Sequence, residues 1–367
     1  MKNQKILKPS LIQRFMAWSK THKKLSIVLS ILVVILIAGG VTAALTVLLR
    51  TAPEPASQVV TPQPEPEPEP PKFYSPLTGA LVTEESLTER PVTAVMVENS
   101  PEARPQSGLK ESGIVFESIA EGGITRFLVL YQEDQPTLIG PVRSIRLANI
   151  DWVTPFNASI AHVGGSWSAL QVVRNGTYRD IDQFFNAGSY WRSTDRFAPH
   201  NVYTNFERLD ALNTQKGYTS STFTGFVRAD TEPLETPEAT RISVTMSSAL
   251  YNSSYVYNAE TNRYARSQGG AAHLDREKGQ IAPRVLIVMK TTGRVIQEDG
   301  SRIQVNPLGS GEAVIFQDGT VQEVTWKKSS RTAQLQFLDA EGEPVPLARG
   351  QTWISAIPVD SGAVTWR

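Results

Sequence analysis

The segment from Leu25 to Leu49 constrains this chain most, because it contains 25 residues without a charged side chain. As an α-helix rising about 1.5 Å per residue, it would cross the roughly 30 Å hydrocarbon core of a bilayer. Residues 1–24 carry seven basic side chains and no acidic one, which is typical of a cytoplasmic flank. A cleaved signal peptide is the alternative, but its apolar core usually has only about 7–15 residues. The sequence therefore predicts a cytoplasmic basic segment over 1–24 and an uncleaved transmembrane signal anchor over 25–49. This is a single-pass plasma-membrane topology with the rest of the chain outside the cell.

A stretch rich in proline and glutamate follows the predicted anchor. Thr51 to Lys72 contains eight prolines and four glutamates. Such a composition cannot bury a core and favours extended polyproline II. We therefore expect residues 50–72 to form a semi-rigid linker that holds the body of the protein away from the membrane.

The remaining residues, 73–367, carry 27 basic and 32 acidic side chains, a net charge of 27 − 32 = −5. Runs rich in β-branched residues predict strands over 91–97, 114–119 and 126–131, and Ser166 is a candidate cap for a following helix. Beyond residue 240, short strand patterns alternate with turn pairs, and no long helical period is visible. The segment 229–239, with two prolines, is the best boundary. The predicted fold class is α+β, with a mixed α/β N-terminal domain over 73–230 and a mostly β C-terminal domain over 240–367.

The absence of cysteine excludes disulfides, thiolate metal sites and a cysteine nucleophile, and also a lipid-modified N-terminal cysteine. No phosphate-binding P-loop, Gly-x-Ser-x-Gly elbow or His-Glu-x-x-His metal motif is present. Two loop histidines and a carboxylate could bind zinc, but no ligand spacing indicates it. Carboxylate pairs for glycoside cleavage are available, yet spacing selects none of them. The acidic body disfavours nucleic acid as a partner. We predict neither a metal nor a cofactor, and the sequence leaves the oligomeric state open.

Three histidines of the body lie beside turn-forming residues. His162 precedes Gly164 and Gly165, His200 follows Pro199, and His273 follows a glycine pair in the predicted second domain. Histidines in such loops are better site candidates than histidines on an apolar face, although a structural role is the default for each. His162 and His200 are therefore candidate catalytic residues, with Glu121 as a candidate partner.

Arginines next to glycine-rich turns suggest an anion site. Arg126 follows Glu121-Gly122-Gly123, and Arg143 and Arg146 follow Gly140-Pro141. The planar guanidinium suits carboxylates and phosphates. If the segment is extended, Arg143 and Ile145 share a face, and if it is helical, Arg143 and Arg146 do. Ion pairing inside the fold, with Glu117, Glu121, Asp151 or Asp180, is the alternative. The predicted ligand-binding residues are Arg126, Arg143, Arg146, Ser166, His200 and Asn201. Nearby aromatic residues could stack on sugars or pack in the core, namely Trp167, Tyr190, Trp191 and Phe197.

Several motifs resemble those of the YerB-like family of bacterial envelope lipoproteins. They include Ala103-Arg104-Pro105-Gln106-Ser107-Gly108-Leu109, Gly140-Pro141-Val142-Arg143-Ser144-Ile145-Arg146, His162-Val163-Gly164-Gly165-Ser166 and, in the second half, His273-Leu274-Asp275. The resemblance implies two adjoining domains of unknown function and no catalytic assignment. This chain departs from the lipoprotein pattern because it has no cysteine and carries a predicted transmembrane anchor instead.

These observations favour an extracytoplasmic cell-envelope binding or accessory protein. Its N-terminal domain would bind an anionic ligand, such as a cell-wall peptide or glycan. The alternative is a peptidoglycan-acting envelope enzyme that uses histidine and carboxylate acid–base chemistry. Both hypotheses predict that Arg126, Arg143, Arg146, His162 and His200 converge on one polar cleft.

Overall fold

The structure is a computed structural model, and it describes residues 10–50, 71–298 and 301–367, without the side chains of 49, 50, 301 and 302. The chain divides into two units, Met1–Pro70 and Pro71–Arg367. Nearly all of the predicted linker, together with the lysines before residue 10, lies outside the described residues.

Two helices make up the described part of the first unit. Leu11–Thr21 begins with a capping box, in which Ser10 and Gln13 satisfy each other's backbone N–H groups. Lys23–Arg50 is a helix of 28 residues, about 42 Å long at ~1.5 Å per residue. Its residues 23–48 are long and apolar enough to cross a membrane. The helix expected over 25–49 is therefore present.

A central sheet of eleven strands dominates the second unit. Ten of them follow the spatial order Gln336–Leu338, Thr320–Lys328, Gly309–Gln317, Val285–Gln297, Thr352–Pro358, Ile114–Ile119, Thr125–Tyr131, Thr93–Glu98, Ser159–Ala161, Arg179–Asp180. The eleventh, Ser301–Asn306, pairs with the distal half of Val285–Gln297.

The two halves of the sequence join within this sheet. Thr352–Pro358 lies between Val285–Gln297 and Ile114–Ile119 and runs parallel to both. In this register Trp353 lies opposite Val115. The predicted α+β class is confirmed, with mixed helix and strand content before residue 230 and no helix among the described residues after 240. A shared sheet between the two domains was not expected from the sequence.

The other elements surround this sheet. A second sheet has the order Ala271–Ala272, Arg263–Gln268, Ser253–Asn258, Arg241–Thr245, Ala363–Trp366. Four strand pairs are short: Phe73–Tyr74 with Leu81–Val82, Trp191–Arg192 with Val202–Tyr203, Arg228–Ala229 with Leu347–Ala348, and Leu274–Asp275 with Gly279–Gln280. The helices are Ser86–Glu89, Leu147–Val153, Trp167–Val173 and Phe206–Gln215, with 3₁₀ turns at Pro101–Ala103, Thr154–Phe156 and Ala187–Ser189.

The sheet is covered on both faces, which explains its continuous apolar strands. Every residue of Thr93–Glu98 is buried. Ala94 and Met96 belong to the core on one face, and Val95 and Val97 belong to the core on the other. Such alternation is expected of a strand that is buried on both faces. Glu98 is the last residue of the strand, and the candidate site begins at this end.

A buried ion pair connects the two domains inside the fold. Arg266 Nη2 lies 2.7 Å from Glu117 Oε2, and both side chains are fully buried. The remaining acceptors of the guanidinium are neutral, namely the Tyr255 hydroxyl, Gln268 Oε1 and His273 Nδ1. His273 in turn contacts Gln106 Oε1 through Nε2 at 3.0 Å, and Gln106 Nε2 donates to the backbone oxygen of Glu98. His273 therefore belongs to the same polar network as the N-terminal domain.

Candidate functional site

The candidate site lies where strand Thr93–Glu98 ends beside residues 140–146. Glu98 N donates to Pro141 O, and Arg143 N donates to Met96 O. These bonds extend the sheet, so the segment adopts the extended alternative of the two conformations that the sequence left open. The segment 163–166 lies beside residues 140–146, because Val163 N donates to Arg143 O.

Glu98 is the centre of a polar cluster at this end of the strand. Its side chain is only 4% exposed, and Oε1 contacts His200 Nδ1 at 2.9 Å and Ser100 Oγ at 3.0 Å. Arg143 Nε lies 3.2 Å from the same oxygen but forms no hydrogen bond there. Within the described residues, Glu98 Oε2 has no hydrogen-bond partner. Because an ionised carboxylate only accepts, His200 donates through Nδ1, and in the neutral form of the ring this leaves Nε2 as an acceptor.

Glu121 holds the two other predicted arginines. Arg146 approaches it with Nε at 3.1 Å and Nη2 at 2.7 Å, and Arg126 also pairs with it. Although burial alone would raise it, the two arginines hold the pKa of Glu121 below its usual value. Burial and the neighbouring Arg146 lower the pKa of Arg126 to about 10. Glu121 is thus a counter-ion for arginines and is not the partner of a histidine.

A surface groove adjoins this cluster at Arg143. Arginines and phenylalanines line it together with the Gly164-Gly165 backbone, and the side chains at its walls are Arg143, Arg174, Arg192, Phe184 and Phe185. Phe184 and Phe185 are 67% and 70% exposed. Gly164 has a φ of +58°, and a Cβ there would meet the Phe184 ring at 3.0 Å. Glycine therefore lets the backbone approach an aromatic wall closely.

A buried carboxylate, Asp182, organises the groove. Its Oδ1 accepts hydrogen bonds from Gly164 N at 3.0 Å and Phe184 N at 3.2 Å. Its Oδ2 accepts from Arg174 Nη2 at 2.6 Å. Arg192 differs from Arg174, because its described partner is the neutral Asn201 Oδ1, which accepts from Nη1 at 2.7 Å. Among the described residues, two of the three groove arginines therefore lie beside a carboxylate, Arg174 at Asp182 and Arg143 at Glu98, whereas Arg192 does not.

His162 occupies a different environment from His200. Its side chain is fully buried, with Nδ1 2.8 Å from Gly164 O and Nε2 3.0 Å from Asp180 Oδ1. Although burial alone would raise it, the contact with His162 holds the pKa of Asp180 below its usual value. Both ring nitrogens are engaged inside the fold, so His162 supports the glycine turn instead of facing the groove.

The other predicted residues have supporting positions. Ser166 caps helix Trp167–Val173 by accepting from Ala169 N, and Asn201 orients Arg192. Tyr190 is buried, whereas Phe197 is exposed outside the groove. Across the described ranges, no group of three or more His, Cys, Asp or Glu side chains could hold a metal ion. The structure thus brings Arg143 and His200 together, places Arg126 and Arg146 at the neighbouring Glu121, and separates His162.

Sequence patterns did not indicate Glu98, Arg174, Arg192, Phe184 or Phe185 as site residues. Glu98 ends an apolar strand directly before Asn99-Ser100-Pro101, and a carboxylate at that position was the available signal. The adjacent phenylalanines following Asp182 were a second signal, since paired aromatic residues after a polar turn can remain exposed.

Comparison with known proteins identifies the family. Residues 77–219 match the family model described as "Protein of unknown function (DUF3048) N-terminal domain", and 242–354 match its C-terminal domain. A protein of Bacillus subtilis (strain 168) described as "Putative lipoprotein YerB" is 32% identical over 301 residues, which cover 80% of this chain and 89% of that protein. The crystal structure of the YerB protein from Bacillus subtilis matches with a TM-score of 0.71 at 30% identity, covering 80% of this chain and 100% of the other. The chain therefore belongs to the DUF3048 family and is YerB-like, as its motifs predicted.

Proposed function

We propose that this protein is a membrane-anchored accessory protein of the cell envelope that binds an anionic cell-wall peptide or glycan in the groove beside Arg143. The description of its relative as a lipoprotein supports an envelope location. Helix Lys23–Arg50 would provide the anchor in place of a lipid. The basic residues before this helix favour a cytoplasmic N-terminus and an extracellular body.

The proposal is carried by the presence in one groove of two exposed phenylalanines and of Arg192, which has no carboxylate partner in the part of the chain that the structure describes. A guanidinium recognises carboxylate or phosphate oxygens through two parallel hydrogen bonds. Exposed aromatic rings offer flat apolar faces to a sugar or peptide. The body as a whole is acidic, so attraction of an anion depends on local positive charge in this groove.

Co-sedimentation with purified, insoluble cell wall tests the proposal, using the full-length protein in detergent. Replacing Arg192 by Gln removes one charged hydrogen-bonding group, worth about 1.5–3 kcal/mol, so affinity should fall by about tenfold or more. Phe184→Ala with Phe185→Ala should also weaken binding without loss of fold, because both side chains are largely exposed.

Two matched variants serve as controls. Phe197→Ala removes a phenylalanine that is 91% exposed outside the groove, and Arg241→Gln removes an exposed arginine of the second sheet. Both should bind like the unmodified protein. Equal binding by the Arg192 variant and the Arg241 control would reject the groove as the binding site.

A further inference from the structure

We propose that His200 is a general base that activates water for hydrolysis of a phosphodiester, with Glu98 as its positioning residue. The inference rests on the proposed function in one respect, since Arg143 and Arg192 of the adjoining groove would hold the substrate. It adds a reaction and a substrate class, a phosphodiester-linked anionic glycan, to a binding site.

The hydrogen bonding around His200 has the form that a general base requires. Glu98 Oε1 accepts from Nδ1 at 2.9 Å, which fixes the ring and leaves the lone pair of Nε2 directed away from the carboxylate. The side chain is 23% exposed, so a water molecule can reach it. A histidine oriented by a buried carboxylate is a recurrent arrangement for proton transfer.

The cluster also contains polar groups that the fold leaves unsatisfied. Within the described residues, Glu98 Oε2 and the Nε of the neighbouring Arg143 are both buried without a hydrogen-bond partner. Buried polar atoms are normally paired, and each exception calls for an explanation, of which a catalytic role is one.

Two adjacent residues bring the base and the groove together. His200 contacts Glu98, and the next residue, Asn201, accepts from Arg192 Nη1 at 2.7 Å. Arg143 Nε lies 3.2 Å from the Glu98 oxygen that holds His200, and the Arg143 side chain lines the groove. One groove arginine therefore approaches the carboxylate that orients His200, and another is bonded to the residue that follows His200 in the chain.

The surrounding charge selects the substrate class. A phosphodiester is anionic before reaction and becomes more so in the transition state, which guanidinium groups stabilise. Glycoside cleavage builds positive charge on the sugar, and clustered arginines would oppose it. The reacting group of an amide or ester is neutral in the ground state, so it offers the groove arginines no charge to bind at the bond that would be cleaved.

The reaction balances with water as the second reactant. Water forms a bond to phosphorus as His200 Nε2 takes its proton, and the bond from phosphorus to the leaving alcohol oxygen breaks. The proton then passes from the imidazolium to that oxygen, giving a phosphate monoester and an alcohol.

Bis(4-nitrophenyl) phosphate provides a direct probe, since its hydrolysis releases coloured 4-nitrophenolate. With full-length protein in detergent, His200→Gln should lower kcat by about 100-fold or more while KM and cell-wall co-sedimentation stay unchanged. Glu98→Gln should lower kcat without changing KM, and Glu98→Asp should restore part of the loss. Arg192→Gln should mainly raise KM. His22→Gln, at a histidine of the first unit, is the matched control and should retain full activity.

The outcomes separate the two proposals. Cell-wall binding without hydrolysis of the probe, or hydrolysis that is the same in His200→Gln and His22→Gln, would overturn the catalytic inference and leave the binding function standing. Absence of both binding and hydrolysis would overturn both. Hydrolysis that depends on His200, with binding that depends on Arg192, would support both.

Discussion

Replacing Glu117 by Gln should destabilise the body strongly, because among the described residues Glu117 is the only charged partner of a buried arginine. The substitution preserves the side chain's shape but removes its negative charge. Arg266 is fully buried, and its other described acceptors, such as Tyr255 and Gln268, are neutral. Breaking a buried pair by removing one member leaves an uncompensated charge and costs about 3–5 kcal/mol.

Further contacts of Glu117 favour the upper part of this range. Trp353 Nε1 donates to Oε2 at 3.1 Å, and Thr125 Oγ1 donates to Oε1 at 3.2 Å. An amide has one oxygen where the carboxylate has two, so at least one donor would lose its acceptor. The Arg266 guanidinium carbon also lies 4.5 Å from the centroid of the Trp353 ring. A shift of the guanidinium away from the altered side chain would disturb this packing.

Urea unfolding of the full-length protein in detergent, followed by tryptophan fluorescence, measures the effect. The midpoint should fall sharply in Glu117→Gln, with a single transition in the unmodified protein because both domains share one sheet. Combining Glu117→Gln with Arg266→Gln should recover about 1–3 kcal/mol relative to the sum of the single changes. Glu312→Gln, which breaks the exposed pair with Lys290, is the matched control and should change the midpoint little.

Two results would refute this reasoning. If Glu117→Gln unfolds at the same urea concentration as the Glu312 control, the buried pair does not stabilise the fold. If the unmodified protein unfolds in two separate transitions, the strand pairing of Ile114–Ile119 with Thr352–Pro358 does not couple the domains.

Three other predictions concern pH, backbone conformation and topology. Burial and the nearby Arg266 hold the pKa of His273 well below its usual value, so the unfolded chain binds a proton below about pH 6.5 that the folded chain does not. Stability should therefore fall as pH drops below that value, by up to about 1.4 kcal/mol per pH unit more than in His273→Gln, and identical pH profiles would contradict it. Gly140→Ala should destabilise by about 1–3 kcal/mol, because φ is +150° and a Cβ would lie 2.8 Å from Tyr203. Gly188→Ala, with nothing within 4 Å of its Cβ, should be nearly neutral in the same thermal unfolding assay. Protease added to intact cells should digest the body and spare the segment before helix Lys23–Arg50, whereas a fully protected body would exclude the proposed topology.

Local sequence patterns predicted the elements whose formation depends on near neighbours. Helix Lys23–Arg50 follows from uninterrupted apolar length, and strand Ile114–Ile119 has the predicted bounds. Gly122 and Gly123, residues typical of turns, join this strand to Thr125–Tyr131, with Ile119 opposite Thr125. Ser166 caps its helix because its own hydroxyl accepts a hydrogen bond from a backbone N–H in the first turn.

Pairing between distant segments could not be predicted in the same way. Register between Ile114–Ile119 and Thr352–Pro358 depends on which apolar strands meet, and many strands of similar composition were available. The proline-rich segment at 229–239 marked a change in the sequence pattern, and the domain bounds drawn from it stay a prediction. It gave no information on a sheet that continues across the change.

The histidines show most clearly where sequence reasoning about the site ends. His162 and His200 both lie beside turn-forming residues, yet one is fully buried and the other is 23% exposed. What separates them is the partner that the fold supplies: Gly164 O and Asp180 engage both nitrogens of His162, whereas Glu98 engages only Nδ1 of His200. A ring with both nitrogens engaged stabilises a turn, and a ring with one free nitrogen can exchange a proton with a ligand. The chemistry proposed for this site therefore depends on Glu98, a residue whose importance becomes visible only when its strand is placed beside the loop that contains His200.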